Sequence, residues 1–381
     1  MADNIPPDAP AHCPGVNSES AGKAGACEGC PMQAACSSGR AKLPLSEREP
    51  EAIMAIRQRL GGIRYRILVL SGKGGVGKSS LSVCLARGIS RRKCTRKNRE
   101  DLFRVGLLDL DLCGPSTPCM LGCIQEKVHQ SQSGWSPVFI TENLSVMSIG
   151  FLLPDPDQAI VWRGPRKNAL IRQLLTNVCW NEQTPRDSAG NEENLDFLIV
   201  DTPPGTSDEH LSAVQYLQAA GCLDGVLIVT TPQEVALSDV RKEISFCQKV
   251  SVPVLGIVEN MTEFICPCCG QANPVFPPTT GGAASLCVPG PDGDTPELLG
   301  QLPLDPRLTR ALDEGLCPFE LAEENAITEG QKSETEITLQ SSDPIMIAYE
   351  NLIDRLLRKL QLRSPAVSRD VDMETGEVRT T

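Results

Sequence analysis

With 381 residues, 48 Asp and Glu against 36 Lys and Arg, and a formal net charge of −12, the chain is too acidic for a general nucleic-acid binder. A hydrophobic content of 40% supports a substantial core and excludes disorder of the whole chain. No apolar run approaches the ~20 residues that cross a bilayer, no basic start precedes an apolar stretch, and 17 cysteines cannot all pair, so a soluble chain in a reducing compartment is expected, with clustered cysteines serving metal.

The first fifty or so residues are rich in Ala, Gly, Pro and Ser and lack helical or strand periodicity, which predicts a loop-rich extension over 1–55. Within it Cys13, Cys27, Cys30 and Cys36 form a complete set of four thiolates for zinc or an iron–sulfur cluster. The apolar run 67–70 then predicts a strand, and a patterned apolar face predicts a helix over 79–89. Further strands are expected at 105–108, 144–149, 197–200, 225–229 and 254–258, with helices at 168–180 and 238–249 between several of them. Such alternation predicts an α/β fold, a doubly wound and mostly parallel sheet covered on both faces, over 56–325. The polar stretches 91–104 and 181–194 are expected to be solvated surface insertions. Ser342-Asp-Pro344 starts an amphipathic helix over 345–362 that packs through Ile345, Leu352, Ile353, Leu356, Leu357 and Leu360, and the tail beyond 363 is expected to be disordered. Residues 326–381 thus form a packing helix and tail.

Gly72-Lys-Gly-Gly-Val-Gly-Lys-Ser79 satisfies the phosphate-loop pattern and stands between an expected strand and an expected helix. Glycine there lets successive backbone N–H groups turn inward around phosphate, and the helix N-terminus favours the anion. The nucleotide-binding set is therefore Gly72, Lys73, Gly74, Gly75, Val76, Gly77, Lys78, Ser79 and Ser80, with Lys78 reaching the β- and γ-phosphates and Ser79 holding Mg²⁺. In Leu107-Leu-Asp-Leu-Asp-Leu-Cys-Gly-Pro-Ser116 a strand ends in acid at the sheet edge where α/β folds bind ligands, and Asp111 is the expected orienter of the attacking water. In Phe197-Leu-Ile-Val-Asp-Thr-Pro-Pro-Gly205, Asp201 has the position that holds Mg²⁺ and Gly205 could turn toward a γ-phosphate. Cys266-Pro-Cys-Cys269 supplies two thiolates, short of the four that a cluster or zinc takes, unless a two-fold axis brings a second copy opposite. Thioredoxin-type redox chemistry and half of a zinc site are the rival uses of that pair. Cys84, Cys113, Cys119, Cys123, Cys179, Cys222, Cys247, Cys287 and Cys317 are expected mostly as small core residues, and His12, His129 and His210 as structural or solvent-facing.

The second lysine of the loop, Lys73, together with GKGGVGKS, DLDLCGPS and DTPPGTSDEH, closely resembles the Mrp/MinD-type deviant-Walker P-loop ATPases over about 64–319. The resemblance implies a face-to-face dimer around ATP and Mg²⁺, with Lys73 crossing to the partner's nucleotide as a catalytic group beside Lys78 and Asp111, and with Asn260 at the position that contacts adenine. Trp162-Arg-Gly-Pro165 and Phe276-Pro-Pro-Thr-Thr-Gly-Gly282 look like the iron–sulfur scaffold branch, and the four N-terminal cysteines resemble its larger cytosolic member. That likeness implies a stable 4Fe–4S cluster on Cys13, Cys27, Cys30 and Cys36 of each chain. It also implies a labile 4Fe–4S cluster bridging two chains through Cys266 and Cys269, with Cys268 leaving the ligating pair open.

The expected function is an ATP-dependent scaffold that assembles the bridging cluster and transfers it to cytosolic and nuclear apoproteins. It works as a homodimer or as a heterotetramer with a smaller paralogue, alongside downstream transfer factors, in the cytoplasm with nuclear access, without nucleic-acid or membrane partners. The alternative is a MinD-like or tail-anchor-targeting dimeric ATPase with structural zinc, for which the mixed charge of the 345–362 helix is unsuited to a membrane surface.

Overall fold

The computed structural model describes residues 12–15, 18–30, 33–96, 99–112, 114–153, 164–181, 194–205, 208–266, 269, 271–276, 281–287, 295–327 and 339–363. Among these, nine strands form one sheet: β1 (Tyr65–Leu70), β2 (Val105–Asp109), β3 (Val138–Thr141), β4 (Leu144–Ser148), β5 (Phe197–Asp201), β6 (Gly225–Thr230), β7 (Val254–Ile265), β8 (Ala272–Pro274) and β9 (Leu298–Leu304). The order is β8-β7-β6-β1-β5-β2-β4-β3, with β9 also paired to β7. Pairings among β1, β2, β4, β5, β6, β7 and β9 are parallel, and only β8 on β7 and β3 on β4 are antiparallel.

The central strands are continuous apolar runs because both faces are covered. In β1 the period of two sends Tyr65, Ile67 and Val69 into one core and Leu68 and Leu70 into the other, and β5 divides Phe197 and Ile199 from Leu198 and Val200 in the same way. One face carries α1 (Pro50–Leu60), α3 (Gly164–Asn177), α4 (Asp208–Ala219) and α5 (Glu234–Lys249). The other carries α2 (Lys78–Ser90), α6 (Pro306–Asp313), α7 (Pro318–Ile327) and α8 (Pro344–Arg363). The expected doubly wound sheet is present, and each expected strand and helix has a counterpart within a few residues.

Several elements depart from expectation. Helix α1 starts in the segment read as loop-rich: Pro50 opens its first turn and Ile53, Ile56 and Leu60 are buried against the sheet. Short helices also form at Gln33–Ser37 and Leu45–Arg48 in that segment. The insertion read as a solvated loop at 91–104 contains an antiparallel hairpin, Lys93–Arg96 on Arg99–Leu102, whose first strand buries Cys94. For the second insertion, Asn181 Nδ2 donates to Asn194 Oδ1 at 2.6 Å and ties its ends together, while 182–193 lie outside the described residues. The tail from 364 onward, Cys113, Cys268, Trp162, Arg163 and 277–280 lie outside them too.

Helix α8 packs on α2 and β9, and Ile345, Leu352, Ile353, Leu356 and Leu360 are all buried as expected, with Leu357 half-buried. Its outer face is tied down by Arg355 and Lys359, each 2.9 Å from Glu297, and by Arg92 with Glu350 and Asp354. The domain limits stay a proposal, with α8 serving the same core as the phosphate-loop helix. Truncation of Leu356 to Ala is expected to destabilise the whole domain by about 2–5 kcal/mol in urea unfolding. A change of a few tenths would mean that the helix is an appendage rather than part of the core.

Candidate functional site

Strand β1 ends at Leu70 and helix α2 begins at Lys78, so the loop between them sits at the C-terminal edge of the sheet. Gly75 (φ 79°) and Gly77 (φ 85°) adopt the left-handed region, which L side chains resist. A Cβ on Gly77 would also stand 2.2 Å from Asn260 Nδ2, and one on Gly72 would stand 2.5 Å from Asp239 Cβ. Gly74 and Gly75 face solvent, leaving the backbone open to an anion, while Val76 anchors the loop in the core.

Beneath the loop lies Asp201, with no solvent exposure. Its Oδ1 accepts from Lys78 Nζ at 2.7 Å and Ser82 Oγ at 2.9 Å, and its Oδ2 accepts from Ser79 Oγ at 2.6 Å. The strand pairing that sets Asp109 opposite Asp201 buries a second carboxyl one strand away. Asp109 accepts from Asp111 N and Ser148 Oγ, both at 2.9 Å. Burial, and then the charge of Asp201, pushes the Asp109 carboxyl above the usual carboxylate range. Asp111, the residue singled out from sequence, is half-buried two positions further along at the rim.

On the far side of the loop, Gly205 N donates to Ser71 O at 2.8 Å. Lys73 is half-exposed, and its Nζ stands 3.9 Å from Asp239 Oδ2 of α5. Asn260 Nδ2 donates to Val76 O at 2.9 Å, so β7 touches the phosphate loop directly. Lys73, Lys78, Ser79, Asp111, Asp201, Gly205 and Asn260 are therefore gathered at one sheet edge. Ser80 lies on the first turn of α2, half-buried.

Strand β7 continues past Asn260 to Ile265 and turns into β8, pairing Ile265 with Ala272. Cys266 N donates to Gln271 O at 3.0 Å, which places half-buried Cys266 and exposed Cys269 at a hairpin tip. Gly281 and Gly282, both at positive φ, close the described end of the second scaffold-like motif, where Glu259 Oε1 of β7 accepts from Ala283 N at 2.6 Å. In the extension, Gly22 (φ 74°) passes so close to the helix Gln33–Ser37 that a Cβ would meet Ser37 N at 2.4 Å. That contact fixes the helix carrying Cys36. Gly15 N donates to Cys13 Sγ at 3.4 Å, and burial, then the charges of Cys13, Cys30 and Cys27, raises the Cys36 thiol above its usual range. The other three thiols thus act on Cys36, although no three His, Cys, Asp or Glu side chains among the described residues are placed to hold a single metal ion. A cubane cluster is wider than one ion and holds its thiolates further apart.

Residues 62–338 match the family model described as ParA, NUBPL iron-transfer P-loop NTPase. The chain belongs to this family. Among solved structures it is similar to the nucleotide-binding protein of Archaeoglobus fulgidus in complex with ADP and with cobalt, at 34% identity over 70% of this chain and 92% of that one, with a TM-score of 0.54. The cell-division ATPase MinD of Pyrococcus furiosus matches at 20% identity over 78% and 99% of the two chains, with a TM-score of 0.44, and MinD of Aquifex aeolicus at 18% over 77% and 97%, with a TM-score of 0.46.

For a NUBPL-type P-loop NTPase, the residues that sequence reasoning missed are Ser82, Asp109, Ser148 and Asp239. Ser82 could have been found one helical turn after Lys78, on the face that meets Asp201. Among the described residues no helix is long and apolar enough to cross a membrane. Because the folded Asp109 carboxyl keeps its proton above the usual range, the stability tied to it is full at low pH and is lost as pH rises through the raised value. Asp109→Asn, which cannot ionise, is therefore expected to gain stability over the parent at pH 8 relative to pH 5, read by urea midpoints at both pH values.

Proposed function

We propose that this chain is an ATP-hydrolysing iron–sulfur scaffold that builds a labile 4Fe–4S cluster between two subunits and passes it to apoproteins. What carries the reading is the continuity of β7: one strand contacts the phosphate loop through Asn260 and then delivers Cys266 to an exposed hairpin tip. Membership of an iron-transfer family supports it, as does the ADP carried by the Archaeoglobus relative.

In this reading Gly72 to Ser80 enclose the phosphates, Lys78 neutralises the β- and γ-oxygens, and Asn260 meets the adenine. Ser79 and Asp201 already face each other with hard oxygen donors suited to Mg²⁺, which when bound supplies charge stabilisation at the phosphates. Asp111 orients the attacking water from the rim, and Gly205 turns its N–H toward the γ-phosphate. Lys73 leaves Asp239 and reaches the partner's nucleotide, where a cation stabilises charge developing in transfer. Thiolates on two chains hold the cargo cluster only while the chains are apposed, so nucleotide-controlled apposition controls its release. The N-terminal set Cys13, Cys27, Cys30 and Cys36 supplies four thiols for a resident cluster, and bound iron would relieve the repulsion that the other three place on Cys36. In this reading the chain works as a homodimer or as a heterotetramer with a smaller paralogue, in the cytoplasm with nuclear access.

Lys73→Ala is expected to lower ATP turnover about 10²-fold with ADP affinity kept, measured by phosphate release and nucleotide titration. Anaerobic iron and acid-labile sulfide quantitation tests the scaffold itself. The intact chain is expected to bind two kinds of cluster, Cys266→Ala/Cys269→Ala to lose only the labile one, and Cys27→Ala/Cys30→Ala only the stable one. Zinc without sulfide in all three proteins would replace this reading with the structural-zinc ATPase.

A further inference from the structure

One carboxyl deep in the fold has no part in the site described so far. Glu243, on the third turn of α5, has no solvent exposure, and neither of its carboxyl oxygens has a hydrogen-bond partner among the described residues. Such a group is costly to leave unsatisfied, and His210 Nδ1 stands 3.8 Å from Glu243 Oε1. His210 is itself 1% exposed on the first turn of α4, and its Nδ1–H donates to Gly205 O at 2.7 Å. Its ring packs edge-on against Phe246 of α5 at 5.5 Å, which holds the imidazole between the two helices.

The two ends of this pair lead to the two moving parts of the ATPase reading. Gly205, at φ 76°, is bound through its N–H to Ser71 at the start of the phosphate loop. Glu243 lies one helical turn after Asp239, which backs Gly72 and faces Lys73. We propose that His210 and Glu243 form a two-position relay: when nucleotide draws Gly205 toward phosphate, the His210 Nδ1–H exchanges its acceptor from Gly205 O to Glu243 Oε1, and α5 shifts so that Asp239 releases Lys73. The exchange moves a hydrogen bond and no electrons. His210 and Glu243 are positioning residues, since neither reaches the nucleotide, and the relay rests on the ATPase reading above.

The electrostatics agree with the geometry. Burial, and then the charge of Asp239, pushes the Glu243 carboxyl up to about 7, and burial lowers His210 below its usual value. Both shifts favour the uncharged form of each group, which suits a poised contact better than a locked salt bridge. Among the described residues, the charged and titratable groups facing the pair include Lys78 from α2 and Asp239 and Cys247 from α5, besides His210 and Glu243 themselves.

Hydrogen exchange on the full chain, with and without a non-hydrolysable ATP analogue and Mg²⁺, tests the relay. In the parent protein, nucleotide is expected to change exchange both in 201–212 and in α5. Glu243→Leu removes the second acceptor, so the first response is expected to persist and the α5 response to fall at least fivefold. Glu243→Gln keeps an acceptor and is expected to keep both. An unchanged α5 response in Glu243→Leu would overturn the relay, as would its equal loss in Glu243→Gln. Glu243→Met gives the same comparison should the leucine variant fail to fold, which its melting curve reports. Nucleotide affinity is titrated in parallel: a parent chain that binds no nucleotide sinks the ATPase reading, whereas one that binds without moving α5 sinks only the relay.

Discussion

A carboxylate with no access to water is tolerated only where other groups compensate its charge, and Asp201 meets that condition with one ammonium and two hydroxyls. Those three partners all come from α2, so the requirement to neutralise Asp201 fixes the rotation of the phosphate-loop helix against β5. The loop then has little choice of path: it leaves β1 at Leu70, must reach Lys78 with its side chain turned inward, and makes the reversal through glycines at positive φ. Removing Asp201 would leave Lys78 buried without its counter-charge, and removing Lys78 would leave Asp201 in the same position. Each member therefore keeps the other in place before any ligand arrives.

The parallel sheet carries that local arrangement outward. Because β1, β5, β2 and β7 run the same way, their ends deliver the phosphate loop, Asp201, Asp109 and Asn260 to one edge. Strand β7 is longer than its neighbours and overshoots that edge, so the hairpin with Cys266 and Cys269 is an extension of the nucleotide face rather than a separate module. The extension with Cys13, Cys27, Cys30 and Cys36 follows different rules: it lacks a core of its own and relies on glycine contacts and short helical turns.

Much of this was legible in the residues. Strands buried on both faces are continuous apolar runs, and the phosphate loop fixes its own strand and helix context, so the sheet and its nucleotide edge follow directly. Helix α1 was legible in principle from Ile53, Ile56 and Leu60, but the Pro- and Gly-rich composition before it masked the spacing. Strand β9 was not, because Leu298-Leu-Gly-Gln-Leu-Pro-Leu304 contains glycine and proline and becomes a strand through its pairing with distant β7. The burial of Asp109 depends on where β2 stops, which periodicity does not resolve. Glu243 was invisible for a similar reason: an acid on a helix looks solvent-facing until the packing of α4 against α5 closes over it.

The late position of α8 also bears on how the protein is made. Its apolar face covers α2, yet more than 250 residues separate the end of one helix from the start of the other. During synthesis at about 5–20 residues per second, the phosphate-loop helix therefore waits on the order of 10–50 s with that face uncovered. Nascent chains in this interval carry a Lys78 helix without its full packing. A nascent chain halted before α8 leaves uncovered the apolar surface of α2 that the finished molecule hides.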